Sequence, residues 1–264
     1  MKKEMIPKII HYCWFGGNPL SDMAKKCIAS WEKYCPDYEI KEWNESNFDV
    51  NICNYSSEAY KSKKWAFVSD VARLYALVNF GGVYMDTDVE VIKPIDNLLQ
   101  YEAVSGFESE TQISTGLMAS IPHQVLFEEL LNDYADKHFI REDGSYDLTT
   151  NVTRITNVCN KYGFKQNNTF QMIKGFTLLP KDYLCPKDHE THKIHITNNT
   201  LVIHHFDGSW HSAEDVYYEQ LKRKMPKYFP KSLESYLAKF ISVVKYNGVK
   251  SGISQTLGWI KRKR

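Results

Sequence analysis

The stretch WAFVSDVARLYALVNFGGVYMDTDVEVIKPI, residues 65–95, decides the fold. Phe67, Val71, Leu74, Leu77 and Val78 recur at helical spacing, and Gly81-Gly82 supply the glycine that ends such a helix in a left-handed cap. Val83, Tyr84 and Met85 then predict a strand running straight into Asp86-Thr87-Asp88. If extended geometry persists through that tripeptide, side chains alternate with period two and both carboxylates project to one face. Close carboxylates repel and desolvate each other, so the pair is tolerated chiefly where a shared proton or a hard divalent cation neutralises it. A solvated strand end is the other reading of the same residues. The helix upstream adds Asp70 and Arg73, at i and i+3 in an otherwise apolar segment. They form either a partly buried ion pair or one wall of a crevice beyond a strand's carboxyl end.

Outward from this stretch, residues 6–15 read as a buried first strand ending at the Gly16-Gly17 turn, with Trp14 at its carboxyl end as a core residue or a ligand platform. Ser21 is an N-cap for a helix whose apolar stripe is Ala24, Cys27, Ile28 and Trp31, and Pro36 ends it. Residues 38–43 alternate like a second strand, which completes a β-α-β unit and favours a parallel sheet. Neither G-x-G-x-x-G nor G-K-[ST] occurs, so a dinucleotide fold or a P-loop is unsupported, and nothing calls for a nucleic-acid partner. Further strands are expected at 103–107 and 113–120, and helices at 122–138 and from about Asn151 to Lys161, the latter entered through Thr149 or Thr150.

The chain has 264 residues, enough for one large core with a small appendage. Its net charge of +1 hides an asymmetry: residues 222–264 carry 12 Lys/Arg against one Glu, which leaves an acidic body. Six cysteines at scattered spacings, without a C-x-x-C pair, read as reduced thiols in a cytosol. No signal peptide or membrane-spanning run is expected. Near the end, Leu201-Val202-Ile203 lead into His204-His205-Phe206-Asp207-Gly208-Ser209-Trp210, a strand that delivers two possible metal ligands to a glycine turn. From Ser232, a stripe of Leu233, Tyr236, Leu237, Phe240, Ile241 and Val244 precedes the terminal Lys-Arg-Lys-Arg. Such a helix either lies on anionic lipid or packs on its own domain.

The run S-D-x-x-R-x-x-x-L-x-x-x-G-G-x-Y-x-D-x-D, here Ser69 to Asp88, resembles the signature of the DXD-containing family 32 glycosyltransferases, and Pro7 to Gly16 is similar to their P-K-x-I-H-x-x-W-x-G opening. The same run is similar to the glucosylating domain of the large clostridial toxins. The resemblance implies a GT-A-like α/β domain over 1–225, with a mixed but largely parallel sheet, followed by a helical basic region over 226–264. It implies a retaining transferase that moves a sugar from a nucleoside-diphosphate sugar, a UDP-sugar, to a glycan or lipid-linked glycan in surface polysaccharide synthesis. Asp70, Arg73, Asp86 and Asp88 would carry the chemistry. Trp14, Ser69, Asp70, Arg73, Tyr84, Asp86, Ser209 and Trp210 would line the donor pocket. Mn²⁺ or Mg²⁺ would sit on Asp88, His205 and Asp86, with His204 as the alternative to His205. The enzyme would work in the cytoplasm, at the inner face of the plasma membrane if the basic tail binds there. A D-x-D after an apolar strand also opens the haloacid-dehalogenase phosphatases, whose first Asp is a nucleophile; here it lies at 86–88 and no Asp-Asp pair follows. A catalytically degenerate sugar-nucleotide-binding partner is the remaining alternative.

Overall fold

The protein is described from a computed structural model over residues 4–188, 191, 193–208, 213–225 and 231–262. Strand β1 (Ile9–Cys13) is followed by helix α1 (Asp22–Tyr34), where the Ser21 hydroxyl accepts from the Ala24 N–H at 3.1 Å and Ala24, Cys27 and Trp31 face inward. Strand β2 (Glu39–Trp43) returns parallel to β1, so the first β-α-β unit forms as its spacing predicts. Helix α2 (Asn54–Lys61) leads to α3 (Trp65–Phe80), β3 (Gly82–Met85) and β4 (Val89–Val91). Then come β5 (Ala103–Gly106), β6 (Leu117–Ser120), α4 (Val125–Asn132), α5 (Asn151–Asn160), β7 (Gln171–Ile173), β8 (Phe176–Leu179), α6 (Lys181–Leu184) and β9 (Val202–His204).

Seven strands form one sheet in the order β2-β1-β3-β6-β5-β8-β7, in which β6 and β7 alone run against the others. This is the mixed, largely parallel α/β sheet that was expected. Strand β3 sits inside it and is buried along its whole length. Its period-two alternation sends Tyr84 into a core built with α3, α4 and α5, while Val83 and Met85 enter a second core with Trp31, Val89 and Val202. A sheet covered on both faces needs strands that are apolar throughout, which is why Val83-Tyr84-Met85 shows no polar position.

Two expected elements shorten for local reasons. Of the strand predicted over 113–120, only Leu117–Ser120 forms, because the Ser105 hydroxyl donates to the main-chain oxygens of both Ser114 and Leu117 and pulls the intervening segment into a strap. The helix predicted from Pro122 begins at Val125, where the Gln124 side-chain oxygen accepts from the N–H groups of Leu126 and Phe127 and His123 holds a left-handed φ of 55°.

The chain divides into two compact units, Met1–Asp207 and Gly208–Arg264, so residue 225, the expected boundary, falls inside the second. That unit contains α7 (Ala213–Lys224) and α8 (Lys231–Arg262), the latter interrupted at Gly248, whose φ of 82° and ψ of 164° are not helical. Among the described residues no helix is long and apolar enough to cross a membrane. All six cysteines are free.

The junction of α3 and β3 is pinned by His11. Its Nε2 lies 2.8 Å from the Gly81 oxygen, and the Trp43 indole donates to its Nδ1 at 3.1 Å. An indole can only donate, so Nδ1 accepts and Nε2 carries the proton given to Gly81. Gly82 is required beside it: at a φ of +99°, a Cβ would stand 2.7 Å from the Ile9 oxygen and 3.0 Å from His11 Nε2. Burial holds the imidazole neutral and lowers its pKa to about 4. The unfolded chain therefore takes up this proton first, and the contribution to stability, complete above about pH 6.5, is lost as pH falls toward 4. Chemical denaturation of wild type and His11→Gln across this range isolates the effect. The wild type should lose up to about 3 kcal/mol more than the variant; parallel curves would show that His11 is not held neutral.

Candidate active site

Helix α3 is buried on nearly every side, and within that apolar cylinder lie Asp70 and Arg73, also buried. A charge so placed must be paired. The guanidinium is, on two fronts: Nη2 is 3.1 Å from Asp70 Oδ1 and Nη1 is 3.2 Å from Asp86 Oδ1. Nη1 also donates to the Thr115 oxygen at 2.9 Å, and the guanidinium carbon lies 4.5 Å from the centre of the Tyr84 ring. The Tyr84 hydroxyl donates to Asp86 Oδ1 at 2.9 Å. The ion pair and the crevice wall, alternatives in the sequence, are thus one arrangement.

The dicarboxylate converges by a different route from the one expected. Strand β3 ends at Met85, and Asp86 to Val89 form a tight turn closed by the Val89 N–H on the Asp86 oxygen at 2.9 Å, while the Asp86 N–H binds the Gly116 oxygen at 2.8 Å. A turn, not a continuing pleat, brings Asp86 and Asp88 together. Strand β4 then pairs antiparallel with β9 in the register Val89↔His204. This puts His204 Nε2 at 3.3 Å from Asp88 Oδ1 and 4.0 Å from Asp86 Oδ2. One oxygen from each aspartate and one nitrogen of His204 lie within 4.8 Å of one another.

His205, expected as the third ligand, points elsewhere: its Nε2 sits 2.8 Å from Glu90 Oε2, which also binds Lys26. One residue along a strand reverses the face, so the cluster takes His204. Trp14 lies just beyond β1, half-buried, with its indole donating to the Asn18 oxygen at 2.6 Å. A cavity of about 630 Å³ opens there, lined by Gly16, Gly17, Asn18, Glu45, Tyr60 and Trp65 among others. Ser69 is half-buried and donates to the Trp65 oxygen, while its own carbonyl oxygen accepts from Arg73 Nε at 3.4 Å. Ser209 and Trp210 lie outside the described residues. Asn151, the first residue of α5, is buried, donates to the Asp70 main-chain oxygen at 3.4 Å and leaves its Oδ1 without a partner. Thr115-Gly116-Leu117-Met118 resembles the family's acceptor-side segment in sequence, but the contacts of the Thr115 oxygen with Arg73 and of the Gly116 oxygen with the Asp86 N–H depend on the strap's path and carry no local signal.

The charges are unequal in character. Burial raises the Asp70 carboxyl to about 6 against the opposing pull of Arg73. Asp86 is also raised, by burial first, with Arg73 opposing and the Asp88 charge adding. Burial pushes Asp88 the same way, but His204 and the Asp207 main-chain N–H, 2.8 Å from Oδ2, outweigh it and bring the carboxyl to about 2. Burial alone would lower His204; the facing Asp88 carboxylate holds it well above the ordinary histidine range. A half-buried acid pair that draws in an imidazolium is short of positive charge. Two carboxylate oxygens and an imidazole nitrogen are hard and borderline donors suited to Mn²⁺ or Mg²⁺. The residues present therefore fit a divalent cation, with Asp86, Asp88 and His204 as its protein ligands.

Two outcomes test this geometry. His204 must be neutral to ligate, so cation uptake near pH 7 should release about one proton per ion, read by titration calorimetry in buffers of different ionisation enthalpy. Buffer-independent heats would show that the imidazole does not ligate. A Cβ on Gly116 would stand 2.7 Å from His204 Nδ1, so Gly116→Ala must displace the ring. Its Mn²⁺ affinity should fall about 10–100-fold, and an unchanged affinity would exclude His204 from the metal shell.

With the geometry in view, comparison with known proteins is informative over the same segment. Residues 21–105 match the family model described as a glycosyltransferase sugar-binding region containing a DXD motif. The chain is 30% identical over 125 residues to inositol phosphoceramide mannosyltransferase 3 of Schizosaccharomyces pombe, covering 43% of this chain and 33% of that protein. It is 25% identical over 143 residues to mannosyl phosphorylinositol ceramide synthase CSH1 of Saccharomyces cerevisiae, covering 52% and 36%. It thus spans about a third of the length of these curated relatives. Among solved structures, the PaToxG glycosyltransferase aligns over 60% of this chain and 70% of its own, with 18% identity and a TM-score of 0.44. The matched segment runs from α1 into β5 and includes Asp86 and Asp88.

Proposed function

We propose that the chain is a metal-dependent glycosyltransferase that moves a hexosyl group from a UDP-sugar to a glycan or lipid-linked glycan acceptor, with retention of anomeric configuration, in the synthesis of a surface polysaccharide such as a capsule. The observation that carries this reading is the convergence of Asp86, Asp88 and His204 beside a guanidinium locked between Asp70 and Asp86. Breaking the glycosidic bond leaves negative charge on the departing diphosphate, and Mn²⁺ or Mg²⁺ bound at this cluster supplies Lewis-acid neutralisation of it.

The chain's own residues do the rest. Arg73 contributes a permanent positive charge that costs no reorganisation, since Asp70, Asp86 and the Thr115 oxygen already fix its orientation. Asp70, together with Asn151 and Ser69, offers hydrogen-bonding groups to the hydroxyls of the transferred sugar. Tyr84 holds Asp86 by its hydroxyl and supports the guanidinium with its ring. Trp14, whose indole donates to the Asn18 oxygen, and Tyr60 and Trp65, which line the cavity at the Gly16-Gly17 turn, provide aromatic surface for the base. Asp70 and Asp86 are both engaged by Arg73, so neither is free as a nucleophile, and the acceptor attacks from the face the diphosphate leaves. The same engagement disfavours Asp86 as the nucleophile of a phosphatase. The names of the yeast relatives make mannose the transferred sugar and an inositol phosphoceramide the acceptor to try beside polysaccharide precursors. The basic C-terminal unit would hold the enzyme at the cytoplasmic face of an anionic membrane, where such acceptors reside.

Cation-dependent hydrolysis and thermal stabilisation across a panel of UDP- and GDP-sugars test the donor. One UDP-sugar should stabilise the protein only with Mn²⁺ or Mg²⁺; a GDP-sugar in its place would overturn the UDP assignment, and no response to any would overturn the reading. Asp88→Ala and His204→Ala should each lower turnover at least about 100-fold, while His205→Ala retains most of it. An active Asp88→Ala protein would remove the metal from the mechanism.

A further inference from the structure

Helix α8 leaves a row of aliphatic side chains exposed. Leu233, Leu237 and Ile241, at i, i+4 and i+8, share one side and are exposed to 40%, 38% and 38%. Among its described residues, Ala238, Ser242 and Val243 are buried. Its contacts with α7 run through tyrosines and ammonium groups: Tyr217 meets Tyr246 edge-on with ring centres 6.1 Å apart, Lys245 Nζ lies 3.6 Å from the centre of the Tyr217 ring, and Lys239 Nζ lies 5.8 Å from that of Tyr218. Ala238, Ser242 and Val243 thus lie on the inner side, while Leu233, Leu237 and Ile241 remain exposed. Three aliphatic side chains left exposed in one row imply an apolar partner on that side.

We infer that this stripe is a membrane-insertion face, with the first part of α8 lying in the plane of an anionic bilayer and Leu233, Leu237 and Ile241 seated at the boundary of headgroups and acyl chains. Charge selects lipid over a second copy of the chain. Residues 222–264 carry 12 Lys/Arg against one Glu, so two such units brought stripe to stripe would repel, whereas an anionic surface attracts them. Length selects surface binding over crossing, because among the described residues no helix can span a bilayer. The inference sharpens the membrane element of the proposed function, and it assigns the anchoring to insertion as well as to charge.

Flotation of the full-length protein with phosphatidylcholine vesicles, with and without phosphatidylglycerol, tests it. Binding should require phosphatidylglycerol. Leu233→Ser/Leu237→Ser/Ile241→Ser should reduce partitioning at least about tenfold, while the matching triple Met variant retains it. Thermal melting and donor-sugar binding, followed in the same variants, separate a folding defect or a failed donor assignment from a failed membrane assignment. Raising salt from about 0.1 M to about 1 M should weaken wild-type binding without abolishing it, since charge is screened and apolar burial is not. Complete release by salt, or equal binding of the Ser variant, would overturn insertion. A wild-type dimer in sedimentation velocity that the Ser variant abolishes, with no vesicle binding by either, would assign the stripe to a second copy instead.

Discussion

The site depends on one buried cation. Arg73 stands inside an apolar helix with Asp70 on one side and Asp86 on the other, at 3.1 and 3.2 Å. Neither carboxylate would be stable at that depth without it, and it would not be stable without them: removing one member of such a triad strands the charge of the others. The pairing also has a geometric consequence. Asp70 and Arg73 ride on α3, Asp86 begins the turn after β3, and Thr115 belongs to the strap before β6, so a single guanidinium ties a helix, a strand end and a loop to one point. The position of the first aspartate of the D-x-D is therefore set by the packing of α3, whose apolar surface is buried against the sheet and the neighbouring helices.

This explains which parts were legible in the chain. Asp70, Arg73, Asp86 and Asp88 lie within one helix, one glycine turn, one strand and the turn that follows it, so their closeness in sequence suffices to bring them together. The glycines could be read for the same reason, although Gly81, at a φ of 63° and a ψ of −160°, ends the helix outside the left-handed helical region that its position suggested. The choice between His204 and His205 could not be made this way. Both follow a short apolar run, and only the pairing of β9 with β4, in the register Val89↔His204, decides which imidazole meets the carboxylates. A strand of three residues has too little alternation to reveal its own faces. The turn at Asp86-Thr87-Asp88 was hidden similarly, since its first residue is anchored on the Gly116 oxygen, contributed by a strap distant in sequence.

The ladder that carries His204 has only two strands, and such a pair is marginal without support. Its support comes from α1. The Trp31 indole donates to the Val89 oxygen at 2.7 Å, the Ser30 hydroxyl accepts from the Val91 N–H at 2.9 Å, and Lys26 reaches Glu90 at 2.8 Å. Three residues of one helix thus hold β4 by its main chain and its outward acid, and β4 in turn sets the register of β9. The Trp31 ring is itself fully buried against Tyr12 of β1, with ring centres 5.7 Å apart. His204 is consequently placed through the sheet's opening β-α-β unit and not through the strand that bears it. Glu90 serves both ends of that chain of contacts: it accepts from Lys26 on α1 and engages His205, keeping the second histidine turned from the cluster so that His204 alone faces Asp86 and Asp88.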